Sequence, residues 1–131
     1  MNADSFRSLV DTYERAVGRQ SEALDQPQNS FLRDSAIQRF EFTFEFAWKV
    51  LKEFLSLQGL EARSSRAAIR GVFEVGLIPE DDRWLGLLEL RNLASHTYDE
   101  ILADRLYAEL PGALRLFRTL LLRIREELTT L

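Results

Sequence analysis

Apolar residues recur three and four positions apart through most of the chain, the spacing that gathers them on one face of a helix. Phe6, Leu9, Val10, Tyr13, Ala16 and Val17 set this rhythm at the start and predict a first helix from Asp4 to Leu24, ended by Gln26-Pro27-Gln28-Asn29. A second helix is predicted to begin at Asp34 or Ser35, both good N-cap types, and to run to about Gln58, with Gly59 as its stop. Part of it, Phe40 to Phe46, alternates with period two like a strand. Leu51, Phe54 and Leu55 restore the helical spacing, and Glu45 and Lys49 form a favourable four-residue pair, so the segment reads as helix. On a helical wheel Glu41, Glu45, Lys49, Lys52, Glu53 and Ser56 gather on one arc. The apolar residues fill roughly 200° of the remainder, wider than the stripe of an ordinary surface helix. Such a helix has neighbours on more than one side. Phe42 falls inside the polar arc, which predicts a contact beyond the monomer core.

A shorter third helix is predicted from Ser64 or Ser65 to about Val75, broken by Gly76. A fourth is predicted with Pro79 in its first turn, where a missing N–H costs nothing. Glu80, Asp81 and Asp82 would crowd that turn and favour the helix dipole. Trp84, Leu85, Leu87, Leu88 and Leu90 form its apolar side, and it should reach Ser95 or His96. The last helical region is predicted from Asp99 to Leu128, with Pro111 kinking or splitting it. Four long helical segments and one short one, joined by brief loops, predict an all-α, antiparallel up-and-down helix bundle, one domain over residues 1–131.

Composition narrows the function. A net charge of −4 argues against a globally basic nucleic-acid binder, so RNA would need a local basic patch. Cysteine is absent, which removes disulfides and thiolate ligands and fits a cytoplasmic protein. No N-terminal pattern of a signal peptide and no bilayer-length apolar run is present. Two arginine groups, Arg63, Arg66 and Arg70, and Arg115, Arg118 and Arg125, read as solvated surface charge.

Chemistry has few places to reside. There is one histidine, so metal sites made of several His or Cys ligands are excluded, and no cofactor motif appears. Glu80-Asp81-Asp82 reads as a helix start rather than a cation site. What remains is Arg91-Asn92-Leu93-Ala94-Ser95-His96-Thr97-Tyr98-Asp99. Residues five apart on a regular helix point about 140° apart, so Arg91 and His96 converge only if the helix ends or loosens near Ser95. Thr97 and Asp99 are poor helix formers and make an ending there reasonable. Histidine shuttles protons near neutral pH. Arginine offers a fixed fork for phosphate or its transition-state charge. Without a metal, cleavage of RNA would use its own 2′-hydroxyl and leave a 2′,3′-cyclic phosphate and a 5′-hydroxyl. A capping histidine and an arginine paired to Glu89 or Asp99 fit the same residues.

The run R-N-x-x-x-H-x-Y, here Arg91, Asn92, His96 and Tyr98, resembles the HEPN signature. The block from Arg33 to Lys49, with Gly76-Leu77-Ile78 and Trp84, resembles the nucleotidyltransferase substrate-binding proteins. The likeness spans most of the chain. It implies a dimer that brings two Arg-His motifs to one cleft, and the toxin half of a pair with a minimal nucleotidyltransferase antitoxin. Arg91 and His96 would then be the catalytic residues of a metal-independent ribonuclease. Asn92 would orient them or the phosphate, and Tyr98 would be the site at which the partner attaches AMP. The alternative from the same resemblance is a non-catalytic subunit that presents substrate or nucleotide to the nucleotidyltransferase.

Overall fold

The computed structural model describes residues 2–130. Five α-helices follow in order: α1 (Ala3–Leu24), α2 (Ser30–Leu57), α3 (Ser65–Glu74), α4 (Asp82–Leu93) and α5 (Glu100–Leu128). A single 3₁₀ turn, Ala94–His96, follows α4 directly. The described residues contain no strand, and the alternating Phe40–Phe46 stretch is helical. Within it Phe40 and Phe44 are buried, Phe46 is half-buried and Phe42 is exposed.

Side-chain caps set most helix starts. Asn2 Oδ1 accepts from the Ser5 N–H and Ser64 Oγ from the Ala67 N–H. Asn29 Oδ1 accepts from the Leu32 N–H at 2.9 Å, so α2 begins at Ser30, a full turn before the predicted Asp34 or Ser35. The residue that reads as the end of one linker is the cap of the next helix. A second correction concerns α4. Pro79 and Glu80 lie ahead of the helix, and Asp81 is its N-cap, accepting from the Arg83 N–H at 2.9 Å and from the Arg83 guanidinium. The cap bond outweighs the preference of proline for a first turn. Gly59 and Gly76 end α2 and α3 with φ of +80° and +78°, a conformation that residues with a Cβ rarely adopt. Pro111 lies inside an unbroken α5, on its exposed side.

The core is built around Phe117 of α5. Its ring meets Tyr13 of α1 edge-on at 6.4 Å, Phe40 of α2 at 6.0 Å and Trp84 of α4 at 6.2 Å. The buried Tyr13 hydroxyl donates to the Phe117 carbonyl at 2.7 Å, tying the first helix to the last. At one end of the bundle the buried Arg33 guanidinium joins α2 to the first turns of α5 through Glu100 (2.7 Å) and Asp104 (3.0 Å). Its pKa is raised, first of all by the hydrogen bonds it donates to Glu100 and Asp34. This clamp lies next to the segment that carries the HEPN-like motif.

Candidate active site

Two signals end α4 inside the motif. Ala94 is buried and holds the chain against the bundle. Asp99 caps the next helix, its Oδ1 accepting from the Leu102 N–H at 3.1 Å, so the backbone must turn before it. The helix tightens into the 3₁₀ turn Ala94–His96, and the Asp99 N–H closes the exit on the His96 carbonyl at 3.0 Å. The α-helix therefore ends before Ser95.

Arg91 remains on α4, half-buried against α2. Its Nη1 donates to Glu45 Oε1 at 2.6 Å, and its guanidinium carbon lies 5.2 Å from the centre of the Phe44 ring. Glu45 is itself steadied by the Trp48 indole N–H at 3.0 Å. The acids near in sequence, Glu89 and Asp99, are not its partners, because position 91 faces the second helix. Among the described residues the buried Arg91 Nε–H has no partner. Beside this pair Glu41 has its pKa raised, first by burial and then by the Glu45 charge, against the opposing pull of Arg91.

His96 and Tyr98 form a second group. The His96 ring is exposed, its Nδ1 is 3.0 Å from the Tyr98 hydroxyl, and the two rings meet edge-on at 5.6 Å. Tyr98 is 80% exposed, so a macromolecule or a modifying enzyme can reach its hydroxyl. Asn92 is also exposed. Among the described residues no hydrogen bond or ring contact joins Arg91 to His96; each has its own partner. A groove of about 530 Å³ runs alongside, between Phe31, Asp34, Ser35, Gln38 and Glu41 of α2 and Ala94, Ser95 and Thr97 of the turn. No three His, Cys, Asp or Glu side chains among the described residues converge as metal ligands.

Glu45, Phe44 and Arg33 escaped the sequence reading as parts of this site. Glu45 was visible only as a member of the polar arc of α2, with Lys49 as its expected partner. Instead it binds Arg91 and Trp48, while the Lys49 ammonium lies over the Phe46 ring. Of the two arginine groups read as solvated charge, Arg63, Arg66, Arg70, Arg115 and Arg118 are exposed and Arg125 is half-buried. Arg125 pairs with Asp11 and Glu14, and Arg63 with Glu61.

Residues 4–126 match the family of nucleotidyltransferase substrate binding protein-like proteins. A probable ribonuclease HepT from Haemophilus influenzae is 32% identical over 92 residues, a match that spans 63% of each protein. A crystal structure of a protein from Thermus thermophilus has a TM-score of 0.80 at 38% identity, covering 86% of this chain and 98% of that one. A Haemophilus influenzae structure that reveals the fold of a substrate binding domain of a nucleotidyltransferase has a TM-score of 0.68 at 28% identity, covering 95% and 99%. The tri-AMPylated HEPN toxin of Shewanella oneidensis, in complex with its MNT antitoxin, shares the fold with a TM-score of 0.78 at 22% identity, covering 96% and 99%. A bundle of five helices, a helix end and exit turn that carry Arg91, Asn92, His96 and Tyr98, and a family match over nearly the whole chain agree: the protein belongs to the nucleotidyltransferase substrate binding protein-like family.

Proposed function

We propose that the chain is a HEPN-type toxin, a metal-independent endoribonuclease whose catalytic groups are Arg91 and His96 and whose regulator is a minimal nucleotidyltransferase acting on Tyr98. The observation that carries this reading is an exposed imidazole, hydrogen-bonded to an exposed tyrosine, on a turn beside a groove and five residues after an ordered arginine. The likeness to the probable ribonuclease of Haemophilus influenzae supports it.

The reaction is an internal transfer. The RNA 2′-oxygen loses its proton to an imidazole and attacks the adjacent phosphorus. The bond to the 5′-oxygen breaks, that oxygen takes a proton from an imidazolium, and the products are a 2′,3′-cyclic phosphate and a 5′-hydroxyl. Arg91 offsets the charge that builds on the phosphoryl oxygens. Its ion pair with Glu45 fixes the fork before substrate arrives, and the part of the guanidinium that remains exposed meets a phosphate oxygen. Each chain holds one histidine, so a homodimer with two motifs in one cleft supplies both the base and the acid. Asn92, exposed on the same turn of α4, orients the phosphate. AMP on the Tyr98 hydroxyl removes the partner of His96 Nδ1 and adds bulk and negative charge where the substrate phosphate must sit.

The test is cleavage of RNA by the purified protein. His96→Ala is expected to abolish cleavage and toxicity while the dimer persists, and incubation with the partner and ATP is expected to place AMP on Tyr98. If the wild type cleaves no RNA and its expression is harmless without the partner, the non-catalytic substrate-binding subunit becomes the function. Label found only away from Tyr98 removes that residue from the regulation.

A further inference from the structure

A second groove opens on the other flank of α2, between it and α1. It encloses about 470 Å³ and is lined by Thr12, Arg15, Ala16, Arg19, Ser35, Gln38, Arg39, Phe42 and Phe46. Three features set it apart. Its lining holds three arginines and no carboxylate, although the chain as a whole carries a net charge of −4. The three other grooves described on this surface each include acids: Glu74, Glu80 and Asp82 in one, Asp34 and Glu41 in the groove at the motif, and Glu109 in the last. These arginines are also poorly neutralised. Arg15 donates to the Thr12 hydroxyl, Arg39 donates to the Arg19 carbonyl and approaches Glu22 only to 3.8 Å, and the Arg19 side chain has no ion pair among the described residues. Finally, Ser35 and Gln38 line both this groove and the one at the motif, so the two join across α2.

The shared wall follows helical spacing. Phe31, Ser35, Gln38, Phe42 and Phe46 lie three or four apart and form one stripe along α2. Ser35 to Phe46 covers about 16 Å at 1.5 Å per residue. Phe31 and Phe42 are 85% and 54% exposed, large apolar rings held in water. Uncommitted guanidinium groups beside open aromatic faces suit a strand that offers phosphates on one side and unstacked bases on the other. An apolar protein partner would not require the arginines, and a lone anion would not require the rings.

We infer that the groove between α1 and α2 binds single-stranded RNA that leads away from the scissile bond, with Arg15, Arg19 and Arg39 on its phosphates and Phe42 under a base. Asp34 and Glu41 keep the phosphates to the α1 side of the stripe, so the bases face the motif end. The assignment of RNA rests on the ribonuclease reading above; the preference for a flexible polyanion rests on the groove alone.

Binding, measured apart from cleavage, separates the two. In a His96→Ala background, fluorescence anisotropy with a labelled 12-nucleotide single-stranded RNA is expected to show the double variant Arg15→Gln, Arg19→Gln binding at least tenfold more weakly. Its slope of log affinity against log salt should fall by about 1.4, the loss of two phosphate contacts to a single strand. Phe42→Ala is expected to lose about tenfold with the slope unchanged. Arg15→Lys, Arg19→Lys should restore most of the slope, which a folding defect would not allow. Equal affinity and slope in wild type and the Gln double variant overturn the inference. So does release of the nucleotidyltransferase partner by that variant with RNA binding intact, which would make the groove a protein-docking surface. RNA binding that depends on Arg15 and Arg19, in a protein that cleaves nothing, keeps the groove and removes the ribonuclease.

Discussion

At the residue scale the ion pair of Arg91 and Glu45 bears most directly on the proposed ribonuclease. A guanidinium left free on a helix samples many rotamers, and one bonded at 2.6 Å to a carboxylate that a tryptophan also holds does not. Glu45→Ala is expected to release Arg91, lower the cleavage rate by at least tenfold and cost about 1–2 kcal/mol of stability, since a part-buried charged hydrogen bond is lost. Glu45→Gln keeps one acceptor and should retain more of both. Cleavage assays beside urea denaturation check this; a rate unchanged in Glu45→Ala would remove Glu45 from the positioning of Arg91. The residue was legible in the sequence as polar and on the outer arc of its helix. Its partner was not, because the two positions are 46 residues apart and meet only when α4 crosses α2.

At the element scale, helix ends were read well where glycine or a cap abutted the apolar rhythm and poorly where two signals competed. Gly59 and Gly76 stop their helices as the pattern implied. Pro79 and Asp81 both offered a start, and the carboxylate prevailed because it satisfies a backbone N–H and holds the Arg83 side chain as well. The Asp81 pKa is lowered by the Arg83 side chain first and the Arg83 N–H second. A carboxyl with a depressed folded-state pKa stabilises the fold above its unfolded value and loses that effect as pH falls through the folded one. Asp81→Ala is therefore expected to cost about 1 kcal/mol at neutral pH. The difference from wild type should shrink in acid, as thermal melts at several pH values will show; a constant difference down to about pH 2, below the ordinary carboxylate range, would mean that the cap is not what the substitution removed. The end of α4 inside the motif is the element-level feature on which the proposed site depends, since it brings His96 and Tyr98 out of the α-helix and onto an exposed turn.

At the scale of the whole molecule, Tyr13 and Phe117 close the bundle, joining residues 104 positions apart. Tyr13→Phe removes a buried hydrogen bond and is expected to cost about 1 kcal/mol. Burial raises the Tyr13 pKa well above its ordinary value. The folded state thus keeps the proton after the unfolded chain has lost it, so the contribution is complete below about pH 10 and declines as pH rises further. Denaturation at about pH 8 and about pH 11, either side of the ordinary tyrosine value, should show wild type losing stability that Tyr13→Phe does not lose; parallel losses would indicate another titrating group. Apolar spacing with glycine, proline and cap residues determined the all-helical class, the number of helices and the buried faces, because helix periodicity and local turn chemistry are encoded within a few residues of each position; the run of Arg91, Asn92, His96 and Tyr98 stood out by its side-chain chemistry. Only the tertiary structure decided that Arg91 turns to Glu45 while His96 turns to Tyr98, that Arg33 is buried among acids of the last helix, and that three arginines face one groove beside Phe42. Those outcomes depend on how helices distant in sequence cross, and no single stretch of chain contains that information.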